Sequence, residues 1–345
     1  MSAAADLEAC RAAIRTGSLS FHAASKLLPD HVRDPALVLY AFCRLADDAV
    51  DEGVNPKAAV LNLQERLDSA YAGAPRDSAI DRSFARMIDT HRLPRALPDA
   101  LLEGLAWDAE GRRFETLSGV LDYSARVAAV VGVMMCVLMG VRDRHRLARA
   151  CDLGLAMQLT NIARDVGEDA QRGRIYLPLE WFEQEDLDPR TFLRAPAPVP
   201  QIRSMTARLL QEADRLYIRA EPGIACLPLS CRSGIFAARS IYAGIGHTIR
   251  GQGYDSISQR ARTGKARKIG WLVTSALRAG LTVVQPTMAT LYAKPCREVD
   301  FLVAAATDET PRFSRSDTLI TALARLRAQD IAARERQVGL DRRSA

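Results

Sequence analysis

YAFCRLADDAVDEG (residues 40–53) and MQLTNIARDVGEDAQRGR (residues 157–174) carry one arrangement twice: Asp47 and Asp51 stand four positions apart in the first, Asp165 and Asp169 in the second. Good helix formers surround both pairs and no proline interrupts either stretch, so both are read on helices. Four-residue spacing on a helix puts two carboxylates on one face, about one turn apart. Like charges so placed destabilise an isolated helix by a few tenths of a kcal/mol, and a compensating cation is expected. A lone acidic run reads as a solvated helix end. The second copy argues against that reading, because Gln158 and Asn161 continue the face of Asp165 and Asp169 along an otherwise apolar helix. Such a line must bury polar groups or border a cavity, and a polar-lined cavity is the simpler account.

The chemistry that suits paired carboxylates is a hard divalent cation. Mg2+ takes one or two carboxylates and completes its shell with water and substrate phosphate oxygens. Each pair also has an arginine nearby, Arg44 three residues before Asp47 and Arg164 immediately before Asp165. Planar guanidinium donors match phosphate oxygens, and metal and arginine together stabilise the charge that builds on a departing diphosphate. For either arginine alone, an intrahelical salt bridge is an equally good reading.

The rest of the chain agrees with a helical protein. Of 345 residues, 6% are aromatic while Ala, Leu and Arg abound, which favours helix over strand. We expect an all-α fold. Pro35 fits a first helical turn, with the helix running to Asp51–Gly53. Further helices are expected over 57–72, 77–90, 97–110, 120–139, from about Arg144 to Gly167, and over 201–221, 231–251, 266–290 and 317–338. The stretch 167–178 leaves helix through Gly173 and Pro178 and suits a loop at the mouth of a site. The longest apolar runs, 127–141 and 269–292, are too short or too interrupted to span a bilayer and both read as buried helices, so no transmembrane helix is expected. No signal peptide is expected either.

A net charge of +6 is spread over 47 basic and 41 acidic residues without interleaved aromatics, so nucleic acid is not the expected partner. An anionic substrate or an anionic membrane surface fits it better. Seven cysteines without a CxxC pair point to the reducing cytoplasm. The five histidines form no spaced metal set, and no GxGxxG or P-loop appears, so no nicotinamide cofactor is expected.

GSLSF (17–21), YAFCRLADDAVDE (40–52) and QLTNIARDVGEDAQRGRIYLP (158–178), in this order, resemble the squalene/phytoene synthase family over about 10–290. The resemblance implies an all-helical isoprenoid synthase fold, one helical domain around a central cavity with the two DxxxD motifs facing each other at its mouth. It implies that Asp47, Asp51, Asp165 and Asp169 are catalytic and bind Mg2+, with Mn2+ as the other candidate. It puts Ser18, Ser20, Tyr40, Arg44, Gln158, Asn161, Arg164 and Tyr242 on substrate-contact positions. The basic stretch 260–268 matches a phosphate-contacting region whose register leaves Arg260 as its candidate. Many relatives read YCYRVAG where this chain has YSARVAA (123–129), so Ala125 replaces a tyrosine and Ala129 a glycine, a change that would widen the cavity or remove a contact.

The whole-chain pattern is most similar to bacterial members that form phytoene. The implied reaction is head-to-head condensation of two geranylgeranyl diphosphates through prephytoene diphosphate. The close rival is an enzyme making presqualene diphosphate or dehydrosqualene from farnesyl diphosphate. A non-catalytic scaffold with the same fold would be expected to lose its aspartates. A head-to-tail elongase would be expected to repeat DDxxD, which DDAVD fits and DVGED does not. Residues 1–300 are expected to form the synthase domain and 301–345 a C-terminal amphipathic helix and basic tail. A hydrocarbon product must leave toward lipid, so peripheral contact with the inner membrane is expected.

Overall fold

The computed structural model describes residues 2–17, 24–51, 53, 55–284, 288–307 and 326. Among them the regular structure is helical throughout, without a strand: α1 Ala3–Gly17, α2 Asp30–Asp51, α3 Pro56–Tyr71, α4 Ala79–His91, α5 Ala96–Ala109, α6 Leu117–Leu138, α7 Arg144–Gln171, α8 Leu179–Gln184, α9 Pro189–Arg194, α10 Pro200–Ala225, α11 Leu229–Gly251, α12 Lys265–Leu281 and α13 Asp300–Ala306. The all-α expectation holds. The anticipated helix over 317–338 lies outside the described residues except for Leu326, which is fully buried.

Local chemistry sets the boundaries. Side chains of Asn55, Ser78, Thr116 and Asp143 accept backbone N–H groups at the starts of α3, α4, α6 and α7. α2 begins five residues before Pro35, because the Pro29 carbonyl accepts from Val32 and Arg33 and starts the helix there. Pro35 then forgoes one hydrogen bond near the helix start, where the cost is small. α7 runs past Gly167 to Gln171, so Asp169 stands on the helix and not on the loop after it. Gly173, at φ 76°, turns the chain away.

α7 and α10 pack along each other as the central pair, joined by a 3.1 Å hydrogen bond between Thr160 and Tyr217. α1, α2 and α4 form one side, with the Phe42 and Phe84 rings stacked at 3.8 Å. Helix α13 buries Leu302, Val303, Ala305 and Ala306 in the same core.

Two sequence readings need correction. Helix α6 is not uninterrupted: residues Ala125–Ala129 make a π-helical turn in which the Val130 N–H bonds the Ala125 carbonyl, five residues back. The wider turn fits because glycines face it. A Cβ added to Gly154 on α7 would lie 2.5 Å from Ala129 Cα, and one added to Gly104 on α5 would lie 2.6 Å from Val127 Cγ1. Ala125 and Ala129 are fully buried and neither borders the cavity; Val127, Ala128, Val131 and Gly132 do.

The second correction concerns the two apolar runs. Leu117–Leu138 is the helix among the described residues that is long and apolar enough to cross a membrane, and it is largely buried inside the protein, as read. The run 269–292 is not. Among the described residues only one side of α12 meets the body of the protein, chiefly α11, and Val273 and Leu277 on the other side are 57% and 66% exposed. Composition reports how apolar a helix is, not how many of its sides are covered.

Candidate active site

Asp47 and Asp51 on α2 and Asp165 and Asp169 on α7 border one polar cavity of about 640 Å3, together with Arg44, Gln158, Asn161, Arg164 and Arg260. Behind it lies an apolar cavity of about 530 Å3, bordered by Leu39, Tyr40, Val131, Met135, Leu153, Met157, Ile235 and Tyr242. Arg44, Asp47, Val127, Gln158, Asn161 and Arg164 border both, so the two are one space with a charged mouth and a hydrocarbon-like body. Ser18 and Ser20 lie outside the described residues.

The second acidic pair is held by cations. Arg164 bonds Asp165 through both its Nε, at 2.8 Å, and its Nη2. Arg260 Nε lies 2.8 Å from Asp165 Oδ1 and 3.2 Å from Glu168 Oε2, so this member of the basic stretch reaches the second acidic pair. Burial raises the Asp165 carboxyl, but the two guanidinium groups outweigh it and hold it below the usual carboxylate range. Asp169, one turn on, has no such bond, and burial followed by the charge of Asp165 pushes it up to about 7.

Arg260 reaches this pair because of Gly167. The Gly167 N–H bonds the Ser256 carbonyl at 3.0 Å, and a Cβ there would sit 2.8 Å from Ile257 Cα. The loop after α11 therefore lies against α7 between the two aspartates. Asp255 fixes its shape by accepting from the Ile257 and Ser258 N–H groups, at 3.1 and 2.9 Å.

The first pair is arranged otherwise. Arg44 bonds Asp48 at 2.7 Å, so on this helix the intrahelical salt bridge is the observed partner and Asp47 is not it. Asp47 opens onto the cavity, yet protein encloses that cavity; burial, then the charges of Asp51 and Asp108, push its carboxyl up to about 7. Asp51 accepts from Arg174 at 2.9 Å, and Arg172 lies 3.8 Å away, so the loop after α7 is tied back to α2.

Sequence reading passed over Asp108, Tyr123, Glu168, Arg172, Arg174 and Tyr176, all of which border the mouth. Asp108 accepts from the Tyr123 and Tyr176 hydroxyls at 2.9 and 2.7 Å, and burial pushes it up to about 6 against those bonds. Asp99 and Glu103 on the same helix are structural, paired with Arg95 and Arg126, so nothing in the sequence of α5 singles out Asp108. Arg174 and Tyr176 lie within the stretch 158–178 that carries the family resemblance, which is the signal that could have found them.

The mouth suits a divalent cation. Three of its carboxylates, Asp47, Asp108 and Asp169, are raised by burial and then by neighbouring carboxylates, and Asn161 Oδ1, buried and on both cavities, has no protein partner. No three acidic, His or Cys side chains converge on one point among the described residues. Pairs of this kind match an ion held by one or two carboxylates with phosphate oxygens and water completing its shell.

Residues 14–267 match the family described as squalene/phytoene synthase. The chain is 58% identical to a phytoene synthase of Cereibacter sphaeroides, covering 98% of each chain. It is 56% identical to one of Rhodobacter capsulatus, over 96% of this chain and 98% of that one. Among solved structures it resembles a dehydrosqualene synthase in complex with ligand, with TM-score 0.74 and 28% identity over 81% of this chain and 98% of that one. A squalene synthase from Alicyclobacillus acidocaldarius gives TM-score 0.67 and 27% identity over 72% and 95%. With this match spanning both aspartate pairs and the helices around their shared cavity, the chain belongs to the squalene/phytoene synthase family.

Proposed function

We infer that the chain joins two geranylgeranyl diphosphates head to head, through prephytoene diphosphate, to give phytoene for carotenoid biosynthesis. The observation that carries this is the single cavity with a carboxylate- and guanidinium-lined mouth and an apolar body. A diphosphate ester with a long hydrocarbon tail needs both, and the tail's transfer out of water supplies much of its binding. The match over nearly the full chain to relatives named phytoene synthase supports the C20 substrate over C15.

In this reading Asp47, Asp51, Asp165 and Asp169 hold Mg2+, or Mn2+ in its place. When bound, the ion stabilises charge on the departing diphosphate. Arg44, Arg164 and Arg260 present donors at the mouth, and Gln158 and Asn161 stand where mouth meets body. As the first C–O bond breaks, an allylic cation forms and is attacked by the double bond of the second substrate; loss of a proton closes the cyclopropane. Departure of the second diphosphate opens that ring, and loss of a second proton leaves the hydrocarbon. Tyr40, Tyr242 and the apolar wall exclude water that would capture either cation. The seven cysteines are all free, in keeping with the cytoplasm. A product without polar groups leaves toward lipid, which puts the enzyme in peripheral contact with the inner membrane.

The test is incubation of purified protein and Mg2+ with labelled C20 and C15 diphosphates separately, with products identified by mass. Phytoene from C20, absent with Asp47→Ala or Asp165→Ala, is expected. A C30 cyclopropyl diphosphate or hydrocarbon from C15 would move the assignment to farnesyl diphosphate. No turnover of either would leave a scaffold.

A further inference from the structure

Of the ten large hydrophobic side chains that are well exposed among the described residues, eight fall between Ile269 and Tyr292. On α12, Ile269, Val273, Leu277 and Leu281 follow one another at four-residue steps and make a continuous stripe, which Val284, 81% exposed, extends. The opposite side of the helix is the packed one. Ser275 and Ala279 are buried, and Trp271 lies so close to α11 that a Cβ on Gly244 would sit 2.0 Å from its ring. An apolar stripe this long is more than the scatter of single exposed hydrophobics that monomers carry.

The charge around the stripe is one-sided. Residues 256–297 contain eight Lys and Arg and no Asp or Glu, while the rest of the chain has 39 basic and 41 acidic residues. Of these eight, Arg260 is paired at the cavity mouth and Arg278 with Glu221, and the other six lie before and after the exposed apolar stripe in sequence. A helix with an apolar face and basic flanks binds in the plane of an anionic bilayer surface, apolar side inward.

We propose that the outer face of α12, Ile269 to Val284, docks on an anionic lipid bilayer. A second copy of the chain would bury the apolar stripe as well, but it would bring two segments of net positive charge and no acidic residue together, which disfavours it. The face lies one helix layer from the apolar cavity, since α12 packs on α11 and α11 contributes Gly234, Ile235, Ala238 and Tyr242 to the cavity wall. A smaller cavity of about 290 Å3, bordered by Phe236, Arg278, Thr282 and Met288, touches Arg146, which also borders the apolar body. The surface deepens the membrane contact proposed above by naming where it is made. It does not depend on turnover, so binding without product would break the catalytic reading and leave this one standing.

The test is flotation of the full chain with vesicles of phosphatidylcholine alone or with phosphatidylglycerol at about one part in three. Binding to the mixed vesicles, weak binding to the neutral ones and loss of binding as salt rises are expected. Val273→Glu with Leu277→Glu should lower the bound fraction on the order of tenfold, with the helical circular dichroism and the turnover of detergent-dispersed substrate unchanged. Val273→Ser with Leu277→Ser gives the same direction with a smaller drop, and serves if the glutamates disturb folding. Equal binding by the substituted chains, or no preference for anionic lipid, would overturn the proposal. So would a lipid-free dimer, seen by sedimentation, that the same substitutions dissociate.

Discussion

Asp165 on α7 is bonded by Arg164 and by Arg260, a partner 95 residues away in sequence, whereas the nearest arginine on α2 turns to Asp48 and leaves Asp47 to the cavity. The two acidic pairs share a spacing and differ in which member an arginine holds, the second, Asp51, on α2 and the first, Asp165, on α7. In each pair one carboxylate has a guanidinium partner from a distant segment, Arg260 for Asp165 and Arg174 for Asp51, and the other is pushed up to about 7. A motif therefore specifies where carboxylates stand, and tertiary structure specifies which of them an arginine meets. The raised pair, Asp47 and Asp169, gains most from a cation, because a buried carboxylate beside another carboxylate carries a cost that an arginine-paired one does not.

The largest expected effects test whether both arms are needed. Asp47→Ala and Asp165→Ala should each lower product formation on the order of a thousandfold, followed by mass with saturating Mg2+. A large loss in one and a small loss in the other would break the symmetry of the two arms. Next, Arg260→Ala should lower turnover by roughly ten- to a hundredfold, with Arg260→Lys recovering part of it. Gly167→Ala should reproduce that loss in milder form, because a methyl there lifts the loop that carries Arg260; it should also cost roughly 1–3 kcal/mol in a denaturant titration.

The smallest effect sharpens the distinction within a pair. In metal-free protein, Asp47 and Asp169 have folded pKa values raised above the ordinary value, so the folded state binds more protons than the unfolded one between about pH 4 and pH 7, and these two groups make stability fall as pH rises through that window. Asp169→Asn removes such a cost. Its Tm should exceed the parent's at pH 7.5 and converge with it toward pH 4, with Mg2+ raising the parent more than the variant. For Asp165, whose folded value is lowered, stability is instead lost as pH falls, and Asp165→Asn should be no more stable than the parent at pH 7.5.

Much of the frame could be read from residues alone. The line Gln158, Asn161, Asp165, Asp169 does border the cavity, and most helices lie where Pro and Gly bounded them, with the start of α2 and the end of α7 as exceptions. What could not be read were relations between segments. Asp108 looks like Asp99 until the fold brings two phenols to it, and Arg260 is one basic residue among several until Gly167 admits the loop that carries it. The apolar run 269–292 differs from its reading for the same reason: its composition matches a buried helix, but among the described residues no element closes over the outer side of α12.

The π turn at Ala125–Ala129 makes the cavity wall adjustable in an unusual way. It accommodates one more residue than an α turn, between flanking helical segments that are each packed in place. Removing a single residue there could restore an ordinary turn and withdraw the wall at Val127 and Ala128 while leaving both flanks seated. A change of chain length by one, rather than a change of side-chain bulk, is then a short path by which such a cavity can acquire a different capacity.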